Sequence, residues 1–393
     1  MDALSKLLSL PDSEKVDCGF VHTPAEIAQQ PDTWLSTFEL FRKNQGRIEE
    51  FLAKARAGKS SSATFTVFLI GAGTSDYIGQ SLALLLRKSW GCDVIAVPST
   101  DLLTHMDDLL LPERQYLWIS FSRSGDSPEG VAVIDRARNK YPDIQHLVIS
   151  CNKNGRMIRE SVGDPRVLTT CLDDAVNDRA LAMTSSFSNM VIFGQCLAHI
   201  GDLNKYEEML TRLIAAGRKF LPRAADCASA LAKEPYTKAC FVGSGPLRAV
   251  AKECALKVME LTAGKVLTLS ESVLGLRHGP MAALDDHTLF ICFLSGDPRI
   301  QRYEWDLLDE IGTKRLVKSR IVVEGAATSE ANSFAEHHLS LSDAIPDDYR
   351  PAIDVIFGQL LGLFFSLRWN LQPDCPSPNG AISRVVQNVS IHS

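Results

Sequence analysis

The feature that most constrains this chain is a repeated join, in which a short apolar, β-rich run stops at a glycine and opens into a helix. Phe65-Thr66-Val67-Phe68-Leu69-Ile70 leads into Gly71-Ala72-Gly73-Thr74-Ser75. Lys238-Ala239-Cys240-Phe241-Val242 leads into Gly243-Ser244-Gly245-Pro246-Leu247, 172 residues later. Further strand-like runs follow the first join at 94–97, 116–120 and 146–150, separated by helical stretches such as 77–89 and 129–140. Others follow the second join at 265–269, 289–294 and 320–324. Apolar strands alternating with helices predict a parallel sheet covered on both faces. The period is too long for a solenoid and suits a duplicated α/β domain with a boundary near residue 215. A length of 393 residues also fits two domains.

Outside the two halves, residues 1–60 read as mostly helical. Thr23-Pro24-Ala25-Glu26 has the form of a helix start, with Thr23 as cap and Glu26 at capping-box spacing. A break is expected at Pro31, then a helix from about Trp34 to Ala57, ending near Gly58. Tyr349–Asn370 is an apolar helix candidate. Its greasiest part, Val355–Leu367, is about 13 residues and too short to span a bilayer. The tail from Asp374 is rich in turn formers and reads as frayed or folded back.

A net charge of −6 gives no general case for nucleic acid or an anionic membrane, so any phosphate must be held locally. Ten scattered cysteines include no C-x-x-C pair and no zinc spacing, and most of them read as buried thiols. The N-terminus lacks the pattern of a secretory signal. The expectation is a soluble, cytoplasmic protein.

Two loops carry candidate chemistry in the first half. Gly71–Ser75 lets backbone N–H groups approach an anion, but it lacks the third glycine of a dinucleotide fingerprint and the Lys of a nucleotide P-loop. Ser122-Arg123-Ser124-Gly125-Asp126-Ser127 follows the run at 116–120, where a parallel strand delivers a ligand-binding edge. Its hydroxyls and amides can hold phosphate without a large positive charge, and Ser127 can also cap a helix opening at Pro128.

In the second half, Leu247, Val250, Ala251, Cys254, Val258 and Leu261 fall at helical spacing and predict a buried face. Glu253, Lys257 and Glu260 form a polar stripe, in which Glu260 is either a solvated partner of Lys257 or a working carboxylate. His278 stands between Arg277 and Gly279-Pro280, with a pKa suited to proton transfer near neutrality. The adjacent His337 and His338 diverge and suit one metal poorly. No metal is expected.

Taken together, GAGTS, SRSGDS, GSGPL, ALKVMELTAGKV and SESVLGLRHGP resemble the double sugar-isomerase (SIS) domain family. Within it they are most similar to the AgaS branch of galactosamine-6-phosphate deaminase/isomerases, also described as tagatose-6-phosphate ketose/aldose isomerases. EIAQQPDTW and LAMTSSFSNM (181–190) resemble motifs of that branch. The resemblance covers roughly residues 23–392 and extends to the isomerase half of glucosamine-6-phosphate synthase.

It implies two tandem flavodoxin-like SIS domains, each a five-stranded parallel sheet flanked by helices. The expected layout is an N-terminal helical segment at 1–48, a first domain at 49–215, and a second at 216–393 whose tail closes the active site. It implies that Ser75, Ser122, Ser124 and Ser127 hold the sugar phosphate, with Arg123, where the synthase has glutamine, placing a positive charge beside the phosphate or a substrate hydroxyl, and Arg384 also binding substrate. Glu260 falls on the glutamate that moves a proton between C1 and C2, and His278 on the histidine that opens the ring from a neighbouring subunit. A homodimer or larger homo-oligomer is therefore expected. Arg384 stands near the place of the synthase's terminal lysine, so a Schiff base is not carried over. The resemblance calls for no cofactor. It leaves three readings open: amino-sugar phosphate deamination with isomerisation, plain aldose–ketose isomerisation of a hexose 6-phosphate, and a phosphosugar-binding regulator.

Overall fold

Each glycine join lies between the first strand of a five-stranded parallel sheet and the helix that returns along it. The computed structural model describes residues 1–57, 64–328, 331–377, 379–386 and 389–392. The first sheet contains β1 (Thr64–Gly71), β2 (Asp93–Pro98), β3 (Arg114–Ser122), β4 (Gln145–Ser150) and β5 (Val167–Cys171), in the order β2-β1-β3-β4-β5. The second contains β6 (Lys238–Gly243), β7 (Leu267–Ser272), β8 (Thr288–Phe293), β9 (Ser319–Glu324) and β10 (His337–Ser340), in the order β10-β9-β8-β6-β7. Read from its other edge, that is the same winding. All pairings are parallel.

The central strands are apolar because helices cover both faces. In the first sheet Phe68, Ile70, Val97 and Trp118 pack with Leu102, Val133 and Ala137 from flanking helices. In the second, Cys240, Val242, Phe290, Cys292 and Val322 pack with Leu307, Leu308 and Ile311. The helix Pro246–Leu261 buries the face expected for it, with Leu247, Val250, Ala251, Cys254, Val258 and Leu261 all inaccessible.

The helix Pro351–Arg368 lies within the expected Tyr349–Asn370, but its apolar stretch is longer than the roughly 13 residues read for it: its 18 residues are long and apolar enough to cross a membrane by length and composition. Pro351–Ser366 are instead buried within the protein. Its two glycines bring it close to Pro246–Leu261. A Cβ on Gly358 would lie 2.5 Å from Cys254 Sγ, and one on Gly362 would lie 3.0 Å from the Lys257 carbonyl oxygen.

The chain forms two compact units whose limits differ from the linear domains expected. The unit holding the second sheet comprises 1–32, 178–184 and 208–381, and the unit holding the first comprises 33–177, 185–207 and 382–393. The N-terminal residues join the second sheet's unit for a polar reason. Asp374 accepts hydrogen bonds from the Thr23 N–H and hydroxyl, both at 2.7 Å, and from the His22 N–H at 2.9 Å. Thr23 therefore does not cap its own helix, Thr23–Ala28; an aspartate 351 residues away does.

Glu26 forms no capping box either. Its Oε1 accepts the Arg179 N–H at 2.5 Å and the Ala180 N–H at 3.4 Å. Burial, with Asp178 and Asp374 nearby, pushes its carboxyl up to about 8. The next helix is Gln30–Ala57, starting earlier than Trp34 because Pro31 fits a first turn. Gly58, read as its end, lies outside the described residues. Ser127 precedes the helix Pro128–Lys140 without a side-chain cap bond. All ten cysteines are free, but five are buried and Cys18 and Cys375 are exposed, so apolar neighbours overstated their burial.

Candidate active site

In the first sheet, chain connections leave β1 toward β2 on one side and β3 toward β4 on the other. The loops after β1 and β3 therefore flank the switch point, where open α/β sheets take ligands. Backbone constraints shape both. Gly73 has φ 54° and ψ −123°, and a Cβ on Gly71 would lie 2.4 Å from the Ser75 carbonyl oxygen. Gly125 has φ 66°. Only glycine tolerates these positions without strain.

Ser75, Ser122 and Ser124 come to this crevice with little solvent exposure. The Ser122 hydroxyl accepts the Gly125 N–H at 3.0 Å, and that of Ser124 accepts the Asp126 N–H at 3.1 Å. Each O–H proton is left to donate elsewhere. Asn152 braces the loop by donating to the Ser124 carbonyl at 2.8 Å, and Asp126 accepts the Arg156 N–H at 2.9 Å. Asn152 and Asp126 carry the loop's shape, and sequence reasoning assigned neither a role. Ser127, half-buried, completes the run.

Arg123 reaches from this loop to the chain's tail. Its buried guanidinium donates to the Arg384 carbonyl at 2.5 Å, and the Arg384 guanidinium donates to Asn177 Oδ1 at 2.7 Å. Arg123 thus holds the tail, and the tail from Ile382 belongs to the first sheet's unit.

In the other unit, the Lys257 ammonium lies 2.5 Å from Glu260 Oε2 and 3.4 Å from Glu253 Oε1. The side chains of Lys257 and Glu253 have no exposure, whereas that of Glu260 keeps 22%. The stripe is therefore a buried ion cluster with one accessible carboxylate, not a solvated helix face.

His278 is exposed, at the end of a short 3-10 turn, with Gly279 at φ 120° behind it. Arg277 turns away to donate to Glu310 Oε2 at 2.6 Å. Glu260 and His278 of one chain stand toward opposite edges of the second sheet. The helix Pro246–Leu261 starts at the carboxyl edge, beside β6, and returns to the start of β7, so Glu260 ends near the amino edge. His278 follows the carboxyl end of β7. Six strand residues separate the edges by roughly 20 Å. Among the described residues, no group of three or more His, Cys, Asp or Glu is arranged to hold a metal ion. His338 lies on β10 and its Nε2 contacts Glu324 Oε1.

Two windings of this type, with a hydroxyl-rich switch point in the first, define a tandem SIS-type phosphosugar fold. The SIS domain model matches residues 61–200. A Streptomyces coelicolor relative is 37% identical over 98% of both chains. The Escherichia coli D-galactosamine-6-phosphate deaminase AgaS is 33% identical, over 94% of this chain and 95% of its own. The chain belongs to the AgaS family of SIS-domain proteins.

The crystal structure of tagatose-6-phosphate ketose/aldose isomerase from Escherichia coli superposes with a TM-score of 0.83 at 30% identity, covering 94% of this chain and 96% of its own. The C-terminal domain of glucosamine-fructose-6-phosphate aminotransferase from Francisella tularensis shares the fold, with a TM-score of 0.76 at 18% identity over 91% of this chain and 99% of its own.

Proposed function

We propose that this protein is an amino-sugar phosphate deaminase/isomerase that converts galactosamine 6-phosphate to tagatose 6-phosphate and ammonia. The observation that carries the reading is the Glu253–Lys257–Glu260 cluster, in which a buried cation backs a carboxylate that remains open to a substrate. The family relationship supports the substrate class.

Ser75, Ser122, Ser124 and Ser127 hold the phosphate through hydroxyls and backbone amides. His278 opens the ring by proton transfer to and from the ring oxygen. Glu260 removes the C2 proton and returns it at C1. The enolamine becomes an iminium, water adds at C2, and ammonia leaves to give the ketose. Each such proton transfer contributes about 10²–10⁴-fold to the rate. The opposite placement of Glu260 and His278 supports the reading that His278 serves a neighbouring subunit's site. The active form is then a homodimer or larger homo-oligomer. Ten free thiols are in keeping with a cytoplasmic location.

The test is ammonia release from galactosamine 6-phosphate by the wild type and by Glu260→Gln. Rapid release by the wild type and near-complete loss in the variant are expected. A second reading, isomerisation without nitrogen, is favoured by the likeness to the Escherichia coli tagatose-6-phosphate isomerase. It predicts tagatose 6-phosphate turnover with no ammonia from the amino sugar.

A further inference from the structure

β6 and β8 are neighbours at the switch point of the second sheet, as β1 and β3 are in the first. The turn after β6 repeats the one after β1. Gly245 has φ 57° and ψ −127°, within a few degrees of Gly73. A Cβ on Gly243 would lie 2.4 Å from the Leu247 carbonyl oxygen, the same clearance as between Gly71 and Ser75. The loop after β8 again opens a helix with proline at its first position, Pro298–Thr313. The backbone of an oxyanion cradle is therefore present twice.

Its contents differ in the second unit. Leu247 stands where the first turn has Ser75, and the loop 294–297 is shorter than 122–127. The donors that remain are engaged. The Ser244 hydroxyl donates to Glu304 Oε1 at 2.7 Å, and the Ser295 N–H donates to Glu304 Oε2 at 2.8 Å. The Ser295 hydroxyl donates to Asp347 Oδ2 at 2.5 Å, and the Gly296 N–H donates to Asp347 Oδ1 at 2.8 Å. Two hydroxyls and two amides thus meet four carboxyl oxygens, the pattern an incoming oxyanion would otherwise satisfy.

Glu304 and Ser295 are fully buried, and burial pushes the Glu304 carboxyl up to about 7. Behind them lies Arg350, without exposure, 3.3 Å from Asp347 and 2.8 Å from Asp354. The same two guanidinium nitrogens also donate to the Leu294 and Val323 carbonyls, and its Nε has no hydrogen-bond partner.

We infer that the second switch-point crevice is an oxyanion cradle filled by the chain's own carboxyl groups, Glu304 and Asp347, which exclude phosphate from the second half. A phosphate entering there would have to displace two tethered groups that already satisfy its donors. Removing both groups turns the crevice into a phosphate site built from Ser244, Ser295, Gly296 and Arg350. The inference stands apart from the deaminase reading, because it concerns a crevice that reading does not use.

The test is calorimetric titration of the full chain with inorganic phosphate. Glu304→Ala/Asp347→Ala is expected to take up one more phosphate per chain than the wild type. Glu304→Gln/Asp347→Asn keeps the crevice filled with amides and is expected to take up no more. The increment is read against the wild type, so it holds whether or not the first cradle binds phosphate. A folded alanine variant with no added site, or an amide variant with one, overturns the inference. Should the alanine variant not fold, Ser295→Ala in an otherwise native chain is expected to leave the wild-type phosphate stoichiometry unchanged. A phosphate site that disappears with Ser295→Ala overturns the inference as well.

Discussion

The Lys257 ammonium sits 2.5 Å from Oε2 of Glu260, and the lysine is closed to solvent while the glutamate is not. A buried cation held between two carboxylates is costly to desolvate unless both partners remain. Lys257→Met therefore leaves Glu253 buried without its cation, and a loss of about 3–5 kcal/mol is expected by urea unfolding. Glu260→Gln removes only the accessible partner. It is expected to keep the fold and phosphate affinity while lowering kcat about 10²–10⁴-fold, measured by coupled ammonia assay.

If Glu260 and His278 of different chains form each site, two dead variants can rescue each other. A mixed dimer of Glu260→Gln and His278→Ala chains pairs an intact glutamate with an intact histidine at one of its two sites. Equal mixing after reversible dissociation is expected to restore about a quarter of wild-type activity. No recovery in a sample shown to contain mixed dimers would place the histidine in its own chain's site or outside catalysis.

Arg123 holds the tail through the Arg384 backbone carbonyl, so side-chain changes at the two positions act differently. Arg123→Ala is expected to speed protease cleavage beyond Ile382 several-fold. Arg384→Ala leaves that bond and removes the one to Asn177, so its effect is expected to be smaller. Limited proteolysis followed by mass spectrometry distinguishes the two.

Glu26 ties stability to pH. Its folded pKa, about 8, lies above its ordinary value of 4.5. The folded state therefore binds the extra proton between these values. The Glu26 contribution is fully present below about pH 4.5 and is lost as pH rises through 8. Glu26→Gln is expected to flatten that loss by a few kcal/mol, on the order of one per pKa unit. Denaturation of both proteins at pH 6 and pH 8.5 measures the difference.

Legibility followed range. The central strands could be read because burial on both faces makes them continuous apolar runs, as at Val67–Ile70 and Leu289–Phe293. The edge strands Val167–Cys171 and His337–Ser340 were not read from their residues, because one is threonine-rich and the other mostly polar. The fifth strand in each sheet came only from family resemblance. β7 starts two residues later than read, after Ala263 and Gly264 adopt positive φ to leave the preceding helix. The serine loop was legible because its chemistry is local. The bond from Arg123 to the tail was not legible because its partner lies far along the chain, and the filling of the second crevice depends on Asp347, likewise far from Ser295. A linear pattern does not contain such pairings.

The bond from Thr23 to Asp374 sets a timetable for synthesis. A ribosome making about 5–20 residues per second places the helix that starts at Thr23 outside its tunnel long before its capping carboxylate exists. The 351 residues after Thr23, up to and including Asp374, take roughly 20–70 seconds to add. That helix of the nascent chain must wait, uncapped, until Asp374 has been translated, and in that interval it is open to chaperones and proteases.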